Sequence, residues 1–66
     1  MRVDANRLQT LMIEKKMSLK ELASKAGISP VTLSTIFKNG VARYKTIGAL
    51  VYALNIKPAE IISLSE

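Results

Sequence analysis

The residue types that do covalent chemistry are scarce in this chain. It has no Cys and no His, which removes thiolate chemistry, disulfides, and the commonest general base and metal ligand. The five carboxylates, Asp4, Glu14, Glu21, Glu60 and Glu66, are scattered, with no acid–base pair and no metal-ligand cluster among them. There is no Gly-rich phosphate loop, and no Ser or Lys nucleophile has an evident activating partner. Catalysis is not expected, nor is a cofactor, a metal or a small-molecule ligand. Hydrogen-bonding and cationic side chains remain, and these are gathered. Lys20, Lys25, Lys38, Arg43 and Lys45 lie between Ser18 and Lys45, opposed there only by Glu21, so this stretch nets +4 of a total of +5. The hydroxyls of Ser29, Thr32, Ser34 and Thr35 fall inside it. A basic field so concentrated attracts polyanions, chiefly nucleic acid or an anionic membrane surface.

The framework that positions these groups has to be small. Sixty-six residues are read as one domain over 1–66, burying only about 60% of the unfolded surface. With 48% hydrophobic residues, three Gly and two Pro, the composition argues against disorder or low complexity. No apolar run approaches the roughly 20 residues of a membrane span. Met1-Arg2-Val3-Asp4 brings an early acid and no apolar run, so no signal peptide is read there and a cytoplasmic location is expected.

The spacing predicts helices and almost no strand. Asp4 can cap a first helix over about 5–16, with Leu8, Leu11 and Met12 on one face. Ser18-Leu19-Lys20-Glu21 is a capping box for a helix over 19–26, stopped by Gly27. Ser29 and Pro30 suit the cap and first position of a third helix, closed by Asn39-Gly40. Leu33, Ile36 and Phe37 form its core stripe, and Met12 and Phe37 are expected to pack together. A fourth helix over about 44–54 turns Ile47, Leu50, Val51 and Leu54 inward and ends at Asn55 in a left-handed conformation. Pro58 opens a fifth, with Ile61, Ile62 and Leu64 seeking apolar contact and Lys57 a poor cap. Tyr44 and Tyr52 are too few for a stacking platform and read as core.

Two helices joined by about three residues, with Gly at the bend, form a helix-turn-helix. Here it runs from Leu22 through Gly27 to Ile36. Ala23 is small where the helices cross, and Ile28 can fill the gap beneath. Leu33 and Ile36 anchor the second helix, which leaves Val31, Ser34, Thr35 and Lys38 on its far face.

The stretch Met17-Ser18-x-Lys20-Glu21-Leu22-Ala23-x-Lys25-Ala26-Gly27-Ile28-Ser29 resembles the signature of the Cro and phage-repressor type of helix-turn-helix domain. This family is also called the xenobiotic-response-element type. Thr46-Ile47 through Ala53-Leu54-Asn55-Ile56-x-Pro58, then Glu60-Ile61, is similar to its last two helices, so the likeness covers about residues 5–63. It implies an all-α, compact five-helix lambda-repressor-like domain, with the helix-turn-helix made by helices 2 and 3. The helix after Gly27 then becomes a recognition helix for the major groove of double-stranded DNA. Ser34 and Thr35 can hydrogen-bond base edges there, Val31 can touch a thymine methyl, and Lys38 can reach a guanine or a phosphate. Ser29, Pro30 and Thr32 flank the helix start, and Asn39, Arg43, Lys45 and Lys20 complete the expected contact set. The implied activity is transcriptional regulation as a repressor, and related domains commonly bind DNA as homodimers. The candidate contact is the C-terminal segment with Ile61, Ile62 and Leu64, too many apolar groups for a solvated tail; core burial of Ile61 and Ile62 is the alternative, expected for at least one of them.

Several positions depart from that family pattern. Leu19 stands where Gln is common, Pro30 and Val31 where Gln or Arg is frequent, and Lys16 where the turn usually has Gly. The recognition helix is also one residue longer before its closing Gly. Two alternatives stay open at this level: a protein-interaction module of the same fold, of antitoxin or anti-repressor type, or the DNA-binding half of a longer regulator.

Overall fold

The fold is that of a computed structural model, which describes residues 1–63. Four α-helices and one 3-10 turn follow one another: α1 (Ala5–Glu14), α2 (Leu19–Ala26), α3 (Pro30–Asn39), α4 (Tyr44–Leu54) and the turn Pro58–Glu60. The expected fifth helix is thus only a 3-10 turn. Lys57 gives it no side-chain cap; instead the Glu60 carboxylate reaches back to accept the Lys57 N–H at 3.2 Å.

Capping decides where the first three helices begin. Asp4 Oδ1 accepts the Arg7 amide at 3.0 Å, and Ser29 Oγ accepts that of Thr32 at 3.0 Å. At α2 the capping box is complete: Ser18 Oγ accepts the Glu21 amide at 3.1 Å, while Glu21 Oε1 accepts the Ser18 amide at 2.9 Å. Each arrangement satisfies first-turn donors that the helix itself leaves unpaired.

Three helices end alike. Lys16 N–H donates to Ile13 O and Met17 N–H to Met12 O after α1; Gly27 N–H donates to Ser24 O and Ile28 N–H to Ala23 O after α2. Asn55 and Ile56 repeat the pair on Tyr52 O and Val51 O after α4. This paired termination needs one left-handed residue, and Lys16 (φ 55°), Gly27 (φ 72°) and Asn55 (φ 57°) supply it. The first helix therefore stops at Glu14, two residues before the expected boundary, because Lys16 takes the conformation that ends it.

The core gathers Leu8, Leu11, Met12, Leu22, Ala23, Leu33, Ile36, Ile47, Leu50, Leu54 and Ile61, with Val3 and Ala42 at its margin, all buried. Phe37, Ile28, Leu19 and Val51 are half-buried against it. Met12 and Phe37 thus both join the core, Phe37 only in part. The two tyrosines do not: Tyr44 is 73% exposed and Tyr52 87%, Tyr52 because it falls on the α4 face opposite Ile47, Leu50 and Leu54, and Tyr44 at the first position of the helix, at the edge of that stripe.

Periodicity left a further feature unseen. Residues 2 and 3 bridge Val41 on one side and Ile62 on the other, both antiparallel. Val3 N–H donates to Gly40 O at 2.9 Å and Asp4 N–H to Ile61 O at 2.7 Å; Ser63 N–H donates to Arg2 O at 3.1 Å. This clasp ties the loop after α3 to the segment after the 3-10 turn. Arg7 and Glu60, 3.2 Å apart, add an ion pair beside it.

Candidate nucleic-acid interface

The interface is built on the angle between α2 and α3. Gly27 turns the chain at positive φ without a Cβ penalty. Ile28 fills the turn, and Ser29 with Pro30 restarts the helix at once. Leu22 and Ala23 on α2, and Leu33 and Ile36 on α3, are buried between the helices and α4. That anchoring turns the opposite face of α3 outward. Pro30, Val31, Ser34, Thr35 and Lys38, spaced i, i+1, i+4, i+5 and i+8, are all exposed, Val31 at 74%.

Two shallow depressions flank this face. One lies toward the start of α2 and is lined by Leu19, Pro30, Val31, Ser34, Thr35 and Lys38. The other lies toward the α3–α4 loop, with Val31, Thr32, Thr35, Val41, Arg43 and Thr46 around Ile36 and Ala42. Val31 and Thr35 line both, so they form the ridge between them.

Most hydroxyls near this ridge already have partners. Thr35 Oγ1 donates to Val31 O at 2.9 Å. Ser29 Oγ and Thr32 Oγ1 lie 2.9 Å apart and share a hydrogen bond, in addition to the cap. The cations, by contrast, keep their charge available. Among the described residues the ion pair within 4 Å is Arg7–Glu60, which leaves Lys20, Lys25, Lys38, Arg43 and Lys45 without one. Glu21 is engaged by Ser18, whose amide and then hydroxyl hold its carboxyl below the usual range, with Lys25 adding to the effect.

A family model for the Cro/C1-type HTH DNA-binding domain matches residues 7–66. The chain belongs to this family. A search of curated proteins finds no match. The residues expected from sequence to contact DNA distribute unevenly over the outward face of α3. Pro30, Val31, Ser34, Thr35 and Lys38 share that face, and Thr32 and Arg43 join Val31 and Thr35 around the second depression. Lys20 sits on α2 with Lys25, around a separate shallow depression. Ser29 is committed to the cap; Asn39 ends α3 and Lys45 lies in the first turn of α4, both exposed.

Leu19, Val41 and Thr46 also line the flanks and were not in the expected contact set. Leu19 could have been suspected as an apolar residue where the family favours Gln. Val41, 51% exposed, carried the signal of an apolar residue outside every helical stripe. The expected dimer contact changes more. Ile61 is fully buried in the chain's own core, so its side chain is not free to meet a second copy. Ile62 is half-buried, and Leu64 lies outside the described residues. No helix among the described residues is long and apolar enough to cross a membrane.

Proposed function

We propose that this Cro/C1-type domain is a sequence-specific regulator of transcription that binds double-stranded DNA with α3 in the major groove, and that it represses by occupying its operator. The observation that carries this reading is the outward face of α3, exposed along five positions and bordered by cations that make no ion pair among the described residues. The major groove admits one α-helix, whose N-terminal residues reach base edges. Val31, Ser34 and Thr35 are the base-facing group, with Thr32 beside them. Lys38 and Asn39 lie at the far end of the helix. Arg43, Lys45 and Lys20 flank the groove and serve phosphates. Ser29 and Pro30 set the helix start against the backbone.

One recognition helix reads too few base pairs for useful specificity, so two copies bind together, on half-sites about 10 base pairs apart. With Ile61 enclosed, the edge around Ile62 is the described part of the C-terminal segment left to face a partner copy.

The test is selection of preferred duplexes from a random pool, then titration at several salt concentrations. A selected motif should emerge, and affinity should fall with salt at a slope of about 0.9 per neutralised phosphate. Equal affinity for all duplexes, or none for any, overturns the proposal. Strong binding to one half-site, with no gain from a second, removes the paired arrangement.

A further inference from the structure

The depression between α3 and the start of α2 is poor in hydrogen-bond donors. Of its six lining residues, Leu19, Pro30 and Val31 are apolar and offer no side-chain donor. Thr35 spends its hydroxyl proton on Val31 O, so its oxygen has only acceptor capacity left. Pro30 lacks a backbone N–H as well. Only Ser34 and Lys38 bring donors to this rim. The two hydroxyls nearest the helix start, Ser29 and Thr32, are bonded to each other. The centre of this face presents a valine side chain 74% exposed, with Leu19 and Pro30 lining the same depression.

A major-groove edge offers such a surface one matching feature. Thymine carries a C5-methyl group that projects into the groove, whereas the other features there are hydrogen-bond donors and acceptors. Cytosine lacks this methyl, but 5-methylcytosine has it at the same place. 5-Methylcytosine also keeps the N4 amino group, a donor that Thr35 Oγ1 can accept. The surrounding charge favours DNA over an apolar peptide as occupant, since Lys38 rims the depression and Lys20 stands beside Leu19.

We infer that this depression reads a pyrimidine 5-methyl group, so that one position of each half-site is recognised by methylation state and accepts 5-methylcytosine in place of thymine. This rests on the reading of α3 as a major-groove helix. The contact is made by Val31 over Leu19 and Pro30, with Thr35 supplying an acceptor beside it.

The test uses the whole chain and the duplex selected above. Each thymine is replaced singly by uracil, which removes the methyl group alone, and then by cytosine and by 5-methylcytosine. At one position per half-site uracil should weaken binding about four-fold, the worth of one buried methylene. At that position 5-methylcytosine should bind at least about four-fold better than cytosine. Val31→Ala should abolish both differences; Val31 is exposed, so circular dichroism and melting should match the parent. The inference is overturned if uracil binds as well as thymine everywhere, if 5-methylcytosine binds like cytosine, or if Val31→Ala keeps the discrimination. In each of these outcomes salt-dependent, sequence-selective binding persists, and the DNA-binding reading stands. A chain that selects no duplex overturns both.

Discussion

At the scale of single residues, the left-handed positions show what a side chain costs. The same paired hydrogen bonds end α1, α2 and α4, yet the residue bearing positive φ is Lys16, Gly27 and Asn55 in turn. An L-residue there costs about 1–2 kcal/mol, least for Gly and modestly for Asn. Lys16→Gly should therefore raise stability by about 0.5–1 kcal/mol, the strain relieved less the added freedom of an unfolded Gly. Urea denaturation checks this, and Asn55→Gly should give a smaller gain. On the proposed DNA interface, residues separate by the readout they move. Replacing Arg43 or Lys45 by Gln should weaken all duplexes alike and lower the salt slope by about 0.9 for each phosphate no longer neutralised. Thr35→Ala should instead change the preferred sequence, costing about 1–3 kcal/mol on the best site; an unchanged preference would take Thr35 off the readout face.

At the scale of elements, the capping box of α2 positions the helix-turn-helix and gives it a dependence on pH. Ser18→Ala should cost about 1 kcal/mol by removing the cap. Because Ser18 holds the Glu21 carboxyl below its ordinary value near 4.5, Glu21's contribution is fully present above that value. It is lost as pH falls through the lower folded-state value. Thermal melts from pH 6 to pH 3 should show Glu21→Gln losing less stability across that acid range than the parent. Helix starts and most helix ends were legible in the sequence because their signals are local: Asp4, Ser18 and Ser29 cap, and Gly27, Gly40 and Asn55 terminate, within a few residues. The early end of α1 was not read from residue types, since Lys16 is an unusual choice for a left-handed position; only its place where the family's turn usually has Gly pointed there. Tyr44 and Tyr52 were misassigned for another reason: each was judged by its bulk, whereas angular position exposes Tyr52 and Tyr44 stands at the very start of α4. The outward face of α3 was legible as an exposed face. Its chemistry was not, because the hydrogen bonds that occupy Thr35, Ser29 and Thr32 depend on rotamers.

At the scale of the whole molecule, the clasp formed by residues 1–3 was invisible to pattern reading. Each bridge is a single residue pair, too short for any alternation. Yet it joins both ends of the described chain to the loop after α3, and Val3 contributes a buried side chain to the core. Helices form in about a microsecond or less from neighbouring residues, whereas pairing residue 3 with residue 62 closes a loop spanning almost the whole chain. The clasp is therefore among the last parts of the fold to form, after the helices have brought its strands of chain together. An interaction absent from the transition state acts on unfolding rather than on folding. Val3→Ala should cost about 1–3 kcal/mol of stability, and stopped-flow chevrons should place nearly all of it in faster unfolding, with the folding limb hardly moved. The lifetime of the folded state, more than the speed of reaching it, thus rests on three residues outside every helix.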